Sequence, residues 1–144
     1  MLHQRLRFSR HVQRVIEQLQ IAPDEKLYSL AATIAGTRRQ ALLVEQLEPF
    51  AVEKMLYWGV CGNRLKRERV EELQHSFTTE QKFGRIPDLL DGRLIADCLD
   101  NSPNKQVGKW QQQIKLAEIN GEISTDLEAE KWLKSKLPFD NKPL

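Results

Sequence analysis

Residues 89–133 read LLDGRLIADCLDNSPNKQVGKWQQQIKLAEINGEISTDLEAEKWL, and this stretch decides the fold class. Its apolar residues recur every three or four positions, and strand-like alternation is absent. Asp88 stands where a cap would open a short helix through Asp97. Ser102-Pro103 opens a longer helix with Val107, Trp110, Ile114, Leu116 and Ala117 on one face. Asn120-Gly121 ends that helix, because glycine accepts positive φ at little cost. Ser124 or Thr125 caps a last helix carrying Leu127, Trp132 and Leu133, and Glu128, three residues after Thr125, makes a capping box. Pro138 and Pro143 follow, so 138–144 is expected to be a disordered C-terminus.

The same grammar extends upstream. Ser9 caps a helix to about Gln20 with Phe8, Val12, Val15, Ile16 and Leu19 as its stripe, and Pro23 stops it. A second helix covers 25–35, with Leu27, Leu30, Ala31 and Ile34 on one face and Gly36 as the residue beyond its end. A third covers 38–47, with Leu42, Leu43 and Leu47 inward. Pro49 suits the first turn of a fourth, whose apolar residues are Phe50, Val52, Met55, Leu56 and Tyr57. Gly59 and Gly62 break the pattern, and a fifth helix is expected from Asn63 to His75 with Leu65, Val70 and Leu73 inward. Residues 76–88, SFTTEQKFGRIPD, read as a linker. The expectation is an all-α chain of short helices in two small lobes: a body-like region over 1–80 and a tail over 81–137.

Composition narrows the function. The 144 residues are 40% hydrophobic and 29% charged, so a packed core is within reach. No apolar run approaches the roughly 20 residues needed to span a bilayer, and MLHQRLRFSR lacks the apolar stretch of a secretory signal. Cys61 and Cys98 fit no metal or redox spacing, which suits a reducing cytoplasm. The net charge is +2, but it is uneven. Residues 1–69 hold twelve Lys/Arg against seven Asp/Glu, and 70–144 hold ten against thirteen. The basic half is rich in arginine, whose planar fork matches phosphate oxygens.

The 89–133 stretch resembles the C-terminal tail of the bacterial tRNA nucleotidyltransferase and poly(A) polymerase family. The matching positions are Leu90, Gly92, Leu94 and Ile95, then Pro103 and Gly108, then Gly121, Glu122, Ile123 and Thr125, then Ala129, Trp132 and Leu133. Arg5-Leu6-Arg7-Phe8-Ser9 and Leu47-Glu48-Pro49 are similar, more weakly, to the family's body helices. Ser102-Pro103-Asn104-Lys105 replaces the family's Pro-Gly-Pro turn, so its tight glycine is missing. Nothing resembles the catalytic head, with its Gly-Gly-x-Val-Arg-Asp turn and Asp-x-Asp metal pair. Asp97 and Asp100 have the wrong spacing. Nucleotidyl transfer needs carboxylates on one side of a strand to bridge two metal ions, and a backbone cradle for the triphosphate.

The resemblance implies a non-enzymatic chain that holds tRNA or another structured RNA for a head supplied elsewhere. Magnesium and nucleotide would belong to that head, and this chain would need no cofactor or metal. Whether CC, A or poly(A) addition is served stays open. The candidate RNA contacts are Arg7, Arg10 and Arg14 on one helical face, Arg38 and Arg39, the cluster Arg64, Lys66 and Arg67 with Arg69 beside it, and Lys105 and Lys109 at a helix start. Trp58, Trp110 and Trp132 could stack bases, but tryptophan in an amphipathic helix is ordinarily core, and Trp132 follows the apolar spacing; His3, His11 and His75 have no ligand partners at useful spacing. The alternative is a helical protein-interaction module in which the arginines only solvate a surface.

Overall fold

Ser9 opens the first helix as expected: its hydroxyl accepts from the Val12 N–H at 3.2 Å, and α1 runs Arg10–Leu19. The structure is a computed structural model that describes residues 9–99 and 104–137, the side chains of 104 and 105 excepted. The 138–144 tail, Arg7 and Ser102-Pro103 lie outside the described residues. All regular structure among the described residues is helical. The chain divides into two compact units, the first ending at Gln81 and the second starting at Lys82.

In the first unit, α2 (Glu25–Thr33) is capped by Asp24, whose carboxylate accepts from the Lys26 and Leu27 N–H groups. Gly36 does not follow this helix as its end. It is the N-cap of α3 (Thr37–Leu47) at φ +94, and the α2 cap is Ile34. Pro49 is likewise outside a helical turn. It follows a cis peptide, Phe50 takes a left-handed φ, and α4 begins at Ala51. After Lys54 the helix widens into a π-helical segment, Met55–Val60, closed by the Cys61 N–H bonding the Leu56 carbonyl at 2.9 Å. The fifth helix, α5, spans Arg67–Glu80 rather than 63–75, so residues 76–80 of the expected linker are helical.

α3 and α5 form the main packing contact of this unit. Every side chain from Gln40 to Val44 is buried, together with Leu47, Val70 and Leu73, and each buried leucine stabilises by about 1.5–3 kcal/mol. Two polar side chains sit in this core. The Ser76 hydroxyl donates to Gln40 Oε1 at 2.6 Å, and Gln40 Nε2 donates to the Ile34 carbonyl at 3.0 Å. Each partner satisfies the other, which ties the helices to one register. In α2 the buried residues are Tyr28 and Ala31, with Ile34 just beyond, while Leu27 and Leu30 are only half-buried. The α1 stripe is largely uncovered: Val12, Ile16 and the following Ile21 are exposed.

The second unit holds α6 (Gly92–Cys98), α7 (Asn104–Ile119) and α8 (Asp126–Lys136). Its core is Leu90, Ile95, Ile114, Ala117, Ile123, Ala129 and Leu133, with Trp110 and Trp132 against it in a T-shaped pair. Asp91, not Asp88, caps α6. Asp88 is drawn instead to Arg85, Gln111 and Lys115. Gly121 ends the long helix at φ +80, and Thr125 caps α8. Glu128 completes the box one residue upstream of the expected donor: it accepts from the Ser124 N–H at 3.1 Å and hydroxyl at 2.8 Å.

Candidate nucleic-acid interface

The basic residues of the first unit fall on three separate places. Arg10 and Arg14 are exposed on α1. Arg38 and Arg39 are half-buried in the first turn of α3, each engaged within the fold. Gly36 has no side chain to cap that turn, and no acid lies in it. The remaining group, Arg64 to Arg69, follows the tight turn after the π-helical segment.

That turn is built on two glycines. The Gly59 carbonyl accepts from the N–H groups of Arg64 at 2.8 Å and Leu65 at 3.1 Å. A Cβ on Gly59 would lie 2.6 Å from Leu65 Cδ1, and one on Gly62 would lie 2.4 Å from the Trp58 carbonyl oxygen. Gly62 would meet backbone that cannot yield, so it must be glycine, whereas at Gly59 the Leu65 side chain would have to shift; the sequence pattern read only a break.

The expected cluster does not act as one patch. Arg69 is largely consumed inside the fold. Its guanidinium donates to the carbonyls of Ala31, at 2.7 Å, and Ile34, capping the end of α2, and it pairs with Glu72 at 3.1 Å. Arg64 pairs with Glu25 at 2.9 Å in an exposed ion pair of the kind that contributes about 0–1 kcal/mol. Arg64, Lys66 and Arg69 line a hollow of about 420 Å³ with Glu68 and Glu72, so carboxylates offset much of the charge there. Arg67 belongs to a different groove, of about 550 Å³, with Val52, Leu56, Val70 and His75 among its walls. Lys66 is exposed and occupies the N-cap of α5 without a capping side chain.

Of the second-unit candidates, Lys109 is exposed on α7. Lys105 lies in the first turn of that helix, and its side chain is outside the described residues. The three tryptophans are half-buried rather than fully in the core. Trp58 is half-buried beside Tyr28, and burial pushes the Tyr28 phenol up to about 12, with the nearby Arg64 charge opposing. His11 packs edge-on against Phe50 with ring centroids 5.4 Å apart. Cys61 is exposed and Cys98 half-buried, and neither is in a disulfide. Among the described residues no three His, Cys, Asp or Glu side chains gather to hold a metal ion, and no helix is long and apolar enough to cross a membrane.

Sequence reading missed one feature. The residues 82–85, KFGR, inside the expected linker, form a tight turn with Phe83 fully exposed at its tip. The available signal was an aromatic-glycine pair between two cations.

No family model, no curated protein and no solved structure matches the chain.

Proposed function

We propose that the chain is a non-catalytic RNA-holding protein, equivalent to the body and tail of a tRNA nucleotidyltransferase or poly(A) polymerase. It would position an RNA 3′ end, in the cytoplasm, for a catalytic head carried elsewhere. The observation that supports this reading is the charge at the starts of α3 and α5. Arg38 and Arg39 occupy the first turn of one, and Lys66 and Arg67 open the other, neither with a capping side chain. A helix start is already positive, so cations there oppose the dipole by about 0.3–1 kcal/mol each. An anion relieves that repulsion while receiving backbone and arginine donors together. A phosphate backbone supplies such anions in series, and A-form RNA is read through its backbone and shape.

The test is a tRNA-binding titration over a salt series. Three to five phosphate contacts give a log–log slope on the order of −2 to −4. Replacing Arg38, Arg39 and Arg67 with alanine should flatten the slope, whereas Lys131→Ala should leave it unchanged. Absence of binding at low salt, or an unchanged slope in the triple variant, would remove this reading. The rival reading, a helical protein-interaction module, is favoured by one feature: the groove lined by Val52, Leu56 and Val70. It takes precedence if tRNA does not bind.

A further inference from the structure

Lys82 and Arg85 bond each other twice: the Lys82 N–H donates to the Arg85 carbonyl at 2.7 Å, and the Arg85 N–H returns the bond at 3.2 Å. The two residues between them both have positive φ, +53 at Phe83 and +80 at Gly84. Such two-residue turns favour Asn-Gly, because asparagine tolerates the left-handed region and bulky side chains rarely enter it. Phenylalanine occupies the first position nonetheless. Its relative exposure is 106%, so the ring makes no contribution to the core. The turn thus combines a strained backbone with an unburied aromatic ring, a combination that folding does not reward.

The surroundings say what the ring suits. Its chain neighbours Lys82, Gly84 and Arg85 are exposed and none carries a large apolar side chain, so the turn itself offers one ring and no wider apolar run. A protein partner or a bilayer needs a contiguous area, typically hundreds of Å². A nucleobase needs only one ring face. Cations stand at both ends of the turn. Arg85 is also anchored: it pairs with Asp88 at 2.9 Å, and Asp88 is held in turn by Gln111 at 3.2 Å and Lys115 at 3.6 Å.

We propose that the Lys82–Arg85 turn is a stacking post for an unpaired RNA base, with Phe83 as the platform and Lys82 meeting the adjoining phosphate. This inference rests on the RNA-holding reading and adds to it the class of nucleotide recognised, one outside a duplex. Stacking is sequence-tolerant because every base has a π-face, so no particular base is required.

The experiment compares two RNA hairpins, one with an unpaired 3′ extension and one blunt, against the full chain and its Phe83→Ala and Phe83→Tyr variants. Phe83→Ala should weaken binding of the extended hairpin roughly 5- to 150-fold, the range that corresponds to about 1–3 kcal/mol per stacked base. Phe83→Tyr should stay within about twofold, since its ring still stacks. The blunt hairpin should bind all three proteins alike, and the salt slope should not change, because stacking releases no counterion. Circular dichroism should show equal helicity in all three. If the wild-type chain binds the extended hairpin and Phe83→Ala binds it equally well, the stacking assignment falls while the RNA reading stands. If the wild-type chain binds neither RNA, both fall. If Phe83→Ala loses binding to phosphatidylserine vesicles but keeps its affinity for RNA, the ring is a membrane contact and the proposal is overturned.

Discussion

Helix α8 of the second unit and helices α3 and α5 of the first treat the helix dipole in opposite ways. α8 has Thr125 as its cap, Asp126 and Glu128 in its first turn, and Lys134 and Lys136 in its last. Every one of these charges sits where the dipole favours it. α3 starts on Gly36 with Arg38 and Arg39 in its first turn, and α5 starts on Lys66 with Arg67 and Glu68 in its first turn. The second unit places charge to stabilise its own helix. The first opens two helices on cations that the dipole disfavours, and Arg38 and Arg39 are engaged within the fold instead.

The glycines divide in the same way. Gly62 lies in the turn that leads to Arg64 and Lys66, where an added Cβ would meet the Trp58 carbonyl. Gly108 lies within α7, and an added Cβ there meets nothing within 4 Å. The largest expected effect is therefore a pair of opposite signs. Gly62→Ala should destabilise by about 1–3 kcal/mol through overpacking. Gly108→Ala should stabilise by about 0.5–1 kcal/mol, as glycine in a helix interior weakens it by that much. Urea denaturation of both variants checks this. Equal destabilisation by the two would show that α7 needs its glycine for packing and would break the contrast. If Gly108→Ala stabilises the chain yet weakens tRNA binding, an RNA backbone approaches α7 at the position that resembles the family's glycine.

The second prediction targets the helix starts directly. Lys66→Ser supplies a capping oxygen and removes a cation from the start of α5, so it should raise stability by about 0.5–1 kcal/mol while reducing affinity for tRNA. Thr125→Ala removes a cap already in use and should lower stability by about 1 kcal/mol without changing tRNA binding. Thermal melts and a binding titration on both variants read the two effects. A Lys66→Ser variant that is less stable than the parent would show that the first unit's charges do serve its fold.

The smallest effect is one of pH, and it belongs to the second unit. The Ser124 hydroxyl and N–H bond the Glu128 carboxylate and hold it below its ordinary titration range. A lowered folded-state value means that the stabilisation is present above the ordinary glutamate range and is lost as pH falls through the lowered one. The difference in melting temperature between the parent and Glu128→Ala should narrow on acidification. A constant difference from neutral to acid pH would show that this carboxylate is not coupled to folding.

Much of the fold was legible because its signals are local. Ser9, Thr125 and Glu128 announce helix starts through bonds that span three or four residues. Gly121 announces an end through its own φ. The misplaced boundaries have local rivals. Gly36 suits the end of α2 as well as the start of α3, and Asp88 suits a cap as well as an ion pair. The π-helical segment escaped because Met55–Val60 carries the same apolar spacing that an ordinary helix would use.

The candidate site was less legible, because the decisive partners of its arginines are distant in the chain. The sequence by itself determined that the chain is helical and that its first half is basic. Only the tertiary structure decided what those cations do. Arg69 reaches carbonyls 35 and 38 residues back and is largely engaged by them. Arg64 meets Glu25, 39 residues away. Lys66 and Arg67, adjacent in sequence, face different hollows because a helix start turns successive side chains apart. Caps and periodicity are written in neighbouring residues, whereas the use of a charge depends on which carbonyl or carboxylate the packed chain brings within reach.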